Sequence, residues 1–444
     1  MTYLYVHKTK KSYMSEAKGI NILGYIHKQF GLGEAVRSNI RSIKSANIPY
    51  VINDVKFEIS PDIKEERNNS IEIIDENPYS VNLIQINFDN FSKVISSNNK
   101  SYLEGKYNIG FWAWELDYFP TDFQDYIEIL DEIWVPSNFC QNAIAQVSNK
   151  PVLRFMHSIK IPTTQLSREA LNLPKEKFIF LSMFDYHSIL ERKNPYSTIS
   201  AFEKAFGENN TQAVLIIKTS VGDKFKEMRE KLKNRIRTNP AIILIEEILP
   251  RESLDALINN CDVFVSLHRS EGFGLTLAEA MSLGKPVIAT AYSGNLDFMN
   301  FENSCLVPYQ LISTEKNYVY TGDVETYWAD PDVEYASKLM LKLFKERDFR
   351  TCVGEKAKNE VKNRLDPENI GLAIKNRLDY IYQFCVPKIK MDINQTVFNL
   401  QQENTILTSK LAALKRTKVV KWKLRLKNFT NKVFGKNKTY IWEE

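Results

Sequence analysis

Residues 262–290 read DVFVSLHRSEGFGLTLAEAMSLGKPVIAT, and the fold class follows from how this stretch alternates. Asp262 to Ser266 is apolar and β-favouring, the pattern of a short buried strand. Glu271, Gly272, Phe273 and Gly274 then make a tight turn, where two glycines let backbone approach a ligand closely. Leu275 to Leu283 has helical content, and Gly284 ends it as a left-handed C′ residue ahead of Pro286. Val287 to Ala289 begins the next strand. A strand, glycine turn and helix in this order leave N–H groups and a positive dipole end facing outward, which suits a diphosphate. Glu271 and Glu279 stand beside that anion site with seven residues between them. Carboxylates there grip hydroxyls better than phosphates, and a sugar nucleotide carries both.

Outward from this stretch the same alternation recurs. Strands are expected at Ile20–Ile26, Tyr50–Asn53, Val81–Ile86, Tyr107–Trp112, Glu132–Pro136 and Val152–Phe155. Ala35–Ser45 carries a helical pattern, with Val36, Ile40 and Ile43 on one side, and Ser137 is a good N-cap for a helix near Phe139–Val147. Ile159–Lys175, restrained by Pro162 and Pro174, reads as a linker. Further strands follow at Phe178–Phe184, Val214–Lys218, Ile242–Ile245 and Val263–Ser266, with a helix at Leu254–Asn260. Asp323–Pro331 reads as irregular, and three helical segments run from there to about residue 385. Strands alternating with helices imply α/β architecture with doubly wound parallel sheets. Gly31 and Gly33 after the first strand, with Asp54 further on, echo a dinucleotide fingerprint. The third glycine is missing, however, and His27–Phe30 separates strand from glycine, which disfavours a nicotinamide site.

The stretch around Glu271 and Glu279 resembles the retaining glycosyltransferases of family 4 (glycosyltransferase group 1), which have the GT-B fold and carry E-x7-E at this place. The resemblance extends to Asn108–Glu115 (NIGFWAWE), Asp131–Ser137 (DEIWVPS) and Ser293–Asp297 (SGNLD). It implies two Rossmann-like domains facing a cleft: an acceptor-side domain over residues 1–160 and a nucleotide-sugar domain over 161–390. A last helix at about 366–385 would cross back to the first domain. By the same resemblance Lys193 and Arg192, in the loop Glu191–Pro195, hold the donor diphosphate, and Glu271 lies near the donor sugar. The N–H groups of Phe273, Gly274 and Leu275 meet phosphate, Glu279 binds ribose, and the Gly31–Gly33 loop faces the phosphates across the cleft. The family arginine normally precedes Lys193 by about six residues, where this chain has His187; His187 or Arg192 must cover that loss. Charge collects on the β-phosphate as the C1–O bond breaks, so cations and aimed N–H groups are what the reaction needs. The expected enzyme is a hexosyltransferase-like, metal-independent transferase with no cofactor, making cell-surface polysaccharide on a glycan or lipid-linked acceptor. Two alternatives stay open: an inactive GT-B scaffold, or a sugar-nucleotide-processing enzyme of the same fold.

Composition fits this reading. The chain has 444 residues, 43% hydrophobic and 25% charged, which is ordinary for a two-domain soluble protein. No apolar run is long enough to span a membrane, and the first residues lack an apolar signal core. Five scattered cysteines form no C-x-x-C pair, so a reducing, cytoplasmic setting is expected, without zinc. Asp330-Pro331-Asp332 spells D-x-D, yet its place suits a helix cap better than a metal. His268 could line the cleft but reads more readily as a packed side chain.

The net charge of +5 is unevenly spread: residues 391–444 hold eleven Lys/Arg against four Asp/Glu. Ile393, Val397, Leu400, Asn404, Leu407, Leu411 and Leu414 alternate spacings of four and three, a heptad seam with Asn404 at an a position. A homodimer through 393–414 is the expectation. Val419, Trp422, Leu426, Phe429 and Val433 continue a stripe flanked by lysines and arginine. That basic amphipathic tail, 415–438, suits the anionic inner face of a membrane, with peripheral attachment. No nucleic-acid reading motif accompanies the charge.

Overall fold

Strands buried on both faces need apolar side chains throughout, and the chain supplies two sets of them. The computed structural model describes residues 18–55, 72–97, 102–162, 166–208, 210–220, 223–314 and 324–416. The first lobe contains β1 (Ile20–Gly24), α1 (Gly31–Ser45), β2 (Tyr50–Asp54), β3 (Val81–Gln85), α2 (Phe88–Ser97) and β4 (Tyr107–Phe111). It continues through α3 (Gln124–Ile129), β5 (Glu132–Val135), α4 (Asn138–Ala145) and β6 (Val152–Arg154). Its six strands are parallel, in the order β2-β1-β3-β4-β5-β6. Asparagines in register join the three central strands: Asn21 Nδ2 donates to Asn82 Oδ1 and Asn82 Nδ2 to Asn108 Oδ1, both at 2.8 Å.

The second lobe contains β7 (Phe178–Phe184), α5 (Leu190–Lys193), α6 (Pro195–Phe206), β8 (Ala213–Thr219), α7 (Lys226–Ile236) and β9 (Ile242–Ile245). Then come α8 (Arg251–Asn260), β10 (Val263–Ser266), α9 (Leu275–Ser282), β11 (Val287–Thr290) and β12 (Cys305–Val307). These strands are also parallel, in the order β12-β11-β10-β7-β8-β9. Counted within the lobe, that is the doubly wound order whose direction reverses between β7 and β10. Ligands of such sheets bind outside the strand ends at that reversal.

Two elements depart from expectation. Residues 327–331, read as irregular, form β14 (Tyr327–Pro331), antiparallel to β13 (Tyr309–Ser313) in a small sheet of their own. Trp328 on β14 is 1% exposed and joins the aromatic core of the first lobe, where Phe88 meets Trp112, Trp114 and Phe119 edge-on. Burial of that indole is what orders the segment. Helix α1 also begins at Gly31 rather than Ala35, so the glycine loop is itself the first helical turn.

Three helices complete this unit: α10 (Val333–Lys345), α11 (Arg347–Arg364) and α12 (Pro367–Tyr380). Asp332 caps α10 by accepting from Tyr335 N at 2.9 Å. Helix α12 lies on α1, where a Cβ on Gly371 would come within 2.2 Å of the Ser42 carbonyl oxygen. Arg377 of α12 pairs with Glu132, which is fully buried in β5 and also accepts from Tyr107 and Trp134. Residues 383–444 form a second unit, described as far as α13 (Val386–Arg416). On α13, Ile393, Val397, Leu400, Leu407 and Leu411 of the heptad seam are exposed. Most of the basic tail, from residue 417 onward, lies outside the described residues.

Candidate functional site

The loop after β7 and the loop after β10 meet at the reversal point of the second sheet. Helix α5 is a single turn, ended by Asn194 in the left-handed region (φ 50°), and Pro195 opens α6 at once. The sharp break is held by Asn194 Nδ2, which donates to Leu267 O at 3.0 Å. It turns Arg192 and Lys193 toward the end of β10. Lys193 Nζ meets Glu271 Oε1 at 2.5 Å, and Arg192 Nη1 lies 3.6 Å from Glu271 Oε2 while donating to Ser270 O at 3.0 Å. His187 instead pairs with Asp185 at 2.9 Å, so Arg192 is the cation beside Lys193.

Burial pushes the Glu271 carboxyl up, but Lys193 and Arg192 outweigh it and bring the pKa down to about 2. The backbone around it is tightly fixed. Glu271 N donates to Ser293 Oγ at 2.8 Å and Gly294 N to Glu271 O at 2.9 Å. Gly294 must be glycine, since a Cβ would sit 2.2 Å from the Gly272 carbonyl oxygen. Gly274, at φ 92°, is the N-cap of α9 and brings no side chain to its start. Leu277 N and Ala278 N donate to Gly274 O at 3.1 Å, which leaves the N–H groups of Leu275 and Thr276 at the positive dipole end without an intrahelical acceptor. Phe273 is buried against His157 and Phe298.

Glu279, one turn further into α9, is held differently. Arg251, at the start of α8, donates from Nη2 to Glu279 Oε1 at 2.6 Å. Burial raises the Glu279 pKa, and Arg251 does not cancel that because Glu34 and Asp255 add their charges in the same direction as burial. Glu34 belongs to α1, just after Gly31 and Gly33, and Arg251 Nη1 reaches its Oε2 at 3.8 Å across the cleft. A Cβ at Gly31 would meet nothing within 4 Å, whereas one at Gly33 would lie 2.1 Å from the Lys28 carbonyl oxygen. Gly31 therefore keeps the helix start open, and Gly33 lets the turn close on itself.

The first lobe contributes more than its glycine loop. Glu115 Oε1 stands 3.5 Å from Arg192 Nη2, and its carbonyl accepts from Ser270 Oγ at 2.5 Å. Ser137 Oγ donates to Gly272 O at 2.6 Å, and Arg154 pairs with Asp297 at 2.8 Å. Arg269 donates to Asp330 and to Glu191 O, tying the hairpin β13–β14 to the cation loop. Sequence reasoning assigned no role to Glu115, Arg251 or Glu34. The stretch NIGFWAWE, which already carried a family resemblance, was the one available signal for Glu115. His268, fully buried between Ser266 and Asn295, is a packed side chain. Asp330 pairs with Arg269, and among the described residues no cluster of His, Cys, Asp and Glu could hold a metal.

Residues 163–308, which include both loops, match the family of glycosyl transferases group 1. The whole architecture is similar to sucrose-phosphate synthase from Thermosynechococcus elongatus, at 15% identity and a TM-score of 0.59 over 82% of this chain and 99% of that one. It is equally similar to a glycosyltransferase from Rickettsia africae, at 14% identity and TM-score 0.59 over 83% of this chain and 99% of that one. HepE of Anabaena aligns at 12% identity and TM-score 0.58 over 82% of this chain and all of its own. The chain thus has the GT-B fold, and residues 163–308 of its second lobe match the glycosyl transferases group 1 model.

Proposed function

We propose that the protein is a retaining glycosyltransferase that moves a sugar from a nucleoside-diphosphate sugar to a glycan or lipid-linked acceptor, in cell-surface polysaccharide synthesis. The observation that carries this reading is the convergence of Lys193 and Arg192 on Glu271 at the reversal point of the second sheet. Two cations paired to a carboxylate in a cleft offer an anion site, which a diphosphate enters by displacing Glu271. The helix starts at Leu275 and Gly31 add aimed N–H groups from both lobes. HepE, of similar fold, has been solved with UDP-glucose, a donor of the class assigned here.

As the C1–O bond breaks, the β-phosphate collects charge, and Lys193, Arg192 and the α9 N–H groups stabilise it. The acceptor hydroxyl attacks from the same face and passes its proton to the departing phosphate oxygen. Positive charge comes from side chains, so the reaction in this form needs no metal. Glu271, displaced from Lys193, lies beside the sugar, and Glu279 takes the ribose hydroxyls.

Melting temperature against a panel of nucleoside diphosphates and their sugars tests this, for wild type and Lys193→Ala. Ligand at a hundred times its Kd adds about 2.7 kcal/mol, a shift readily measured. A shift with one nucleotide class that the variant loses is the expected result; no shift with any nucleotide would leave the inactive scaffold as the better reading. Retention is checked separately, from the anomeric configuration of the product by NMR.

Two copies pairing along α13 extend the proposal, supported by the exposed heptad seam with Asn404 at an a position. Truncation at residue 390 should convert a dimer to a monomer in sedimentation; a monomeric full-length chain would refute it. The 415–438 tail is assigned to an anionic membrane surface at the cytoplasmic face, and no described helix is long and apolar enough to cross one. Co-sedimentation with phosphatidylserine vesicles should be lost without the tail; binding that survives its deletion would refute the assignment.

A further inference from the structure

Glu279 is a buried carboxylate with one oxygen committed and one not. Oε1 accepts from Arg251 at 2.6 Å, and among the described residues Oε2 accepts no hydrogen bond. Arg251 spreads over three acids: Nη2 on Glu279, Nε 2.8 Å from Asp255 and Nη1 3.8 Å from Glu34. Glu34 is itself held from behind by Arg37 at 3.0 Å and Arg41 at 2.9 Å. Asp255 and Glu279 are close to fully buried, whereas the Arg251 side chain keeps 37% of its surface exposed. A planar fork of five donors is suited to such a shared position, and a point charge is not.

We propose that Arg251 is the positioning residue for the ribose of the bound nucleotide, fixing one oxygen of Glu279 so that the other meets the ribose hydroxyls, and linking that grip through Glu34 to the glycine turn of the first lobe. This rests on the assignment of a nucleotide to the Glu271–Glu279 site. The charged groups facing Glu279 are Arg251 and Asp255 from α8 and Glu34, backed by Arg37 and Arg41, from α1. Helix α11, packed on α9 from the other side, brings apolar Ala357 and Val361. Remove Arg251 and Glu279 faces two carboxylates with no cation of its own, in a site where burial already favours the neutral acid. A protonated Glu279 donates on one oxygen and loses the charge that makes its bond to a hydroxyl strong. Arg251 is the cation that opposes burial at Glu279, so its removal pushes the carboxyl further toward the neutral acid.

The test compares affinity for a ribonucleoside diphosphate with that for its 2′-deoxy form, from pH 6 to 8.5. UDP, GDP and ADP are screened first, and the tightest of them is used with its deoxy counterpart. Wild type should prefer the ribose form about tenfold, with a shallower pH dependence than the variant. Arg251→Ala should reduce that preference to less than about threefold at pH 6.5 and recover part of it as pH rises. Arg251→Lys, which keeps charge and loses the fork, should fall between the two. A ratio and a pH profile in Arg251→Ala that match wild type overturn the proposal. Should that variant not fold, an unchanged ratio in Arg251→Lys overturns it equally. Wild-type protein that binds none of the three nucleotides removes the nucleotide assignment itself, and this inference with it, which separates the two failures.

Discussion

Glu271 and Glu279 are the same residue type, with seven residues between them, buried in the same motif, and the fold shifts their pKa values in opposite directions. Glu271 faces Lys193 and Arg192, and its pKa falls to about 2. Glu279 faces a single guanidinium shared with Glu34 and Asp255, and its pKa rises. Burial acts on both in the same direction, so the local count of charges decides the outcome. What separates the two sites is their surroundings: a surplus of cations at Glu271 and a shortage of them at Glu279.

A third buried glutamate sharpens that contrast, because it serves only architecture. Glu132 is fully buried and holds Arg377 of α12, which fixes the end of the chain's first unit back onto the first lobe. Removing one partner of a buried ion pair leaves an uncompensated charge and costs about 3–5 kcal/mol. Arg377→Ala should lose that much in urea denaturation. Arg377→Ala combined with Glu132→Gln should recover part of it, since the orphaned charge is gone. A single variant as stable as wild type would place Glu132 with the exchangeable carboxylates of the cleft.

Lys193→Ala attacks the comparison from the other side. A folded-state pKa below the ordinary value means that the Glu271 ion pair contributes stability above pH 4.5, and loses it as pH falls through about 2. Wild type should therefore exceed Lys193→Ala by on the order of 2 kcal/mol near pH 6. The two denaturation midpoints should converge as pH approaches 2. A gap that persists undiminished at pH 2.5 would mean that Lys193 stabilises by packing and not through the Glu271 carboxylate.

How far the sequence carried depends on where each partner lies. The strand, glycine turn and helix of 262–290 are local, and so their reading matched closely: α9 starts at Leu275 and Gly284 takes φ 72°. The caps Ser137 and Asp332 are equally local and were legible. Arg251 and Glu115 were not, because each acts on a partner from the opposite lobe, and no spacing in the chain encodes that meeting. The β13–β14 pair was hidden for another reason. Strand β13 is largely exposed, so it has no apolar run to announce it, and only Trp328 buries anything large. Helix α1 was read as starting late because glycine argues against a helix, while here Gly33 is required by contact with Lys28.

Ser137 offers the smallest and cleanest test, since it joins the lobes without any charge. Its hydroxyl accepts from Cys140 N at 3.2 Å, capping α4, and donates to Gly272 O at 2.6 Å in the turn beside Glu271. Loss of a serine cap to alanine costs about 1 kcal/mol, whereas glycine at an N-cap costs only a few tenths. If the cap is all that Ser137 supplies, Ser137→Gly should be close to wild type and Ser137→Ala lower by about 1 kcal/mol. The strap to Gly272 predicts otherwise. A buried carbonyl that loses its donor costs about 1–3 kcal/mol in either variant, eased by the Cys140 thiol, which also reaches Gly272 O at 3.3 Å. Both variants should therefore fall together, by about 1–2 kcal/mol, with the nucleotide-induced shift in melting temperature retained. A Ser137→Gly protein as stable as wild type would assign the hydroxyl to helix capping alone, and leave the bond from Ser270 to Glu115 O and the charged contacts of Arg251 and Arg192 to hold the glycine turns to the facing lobe.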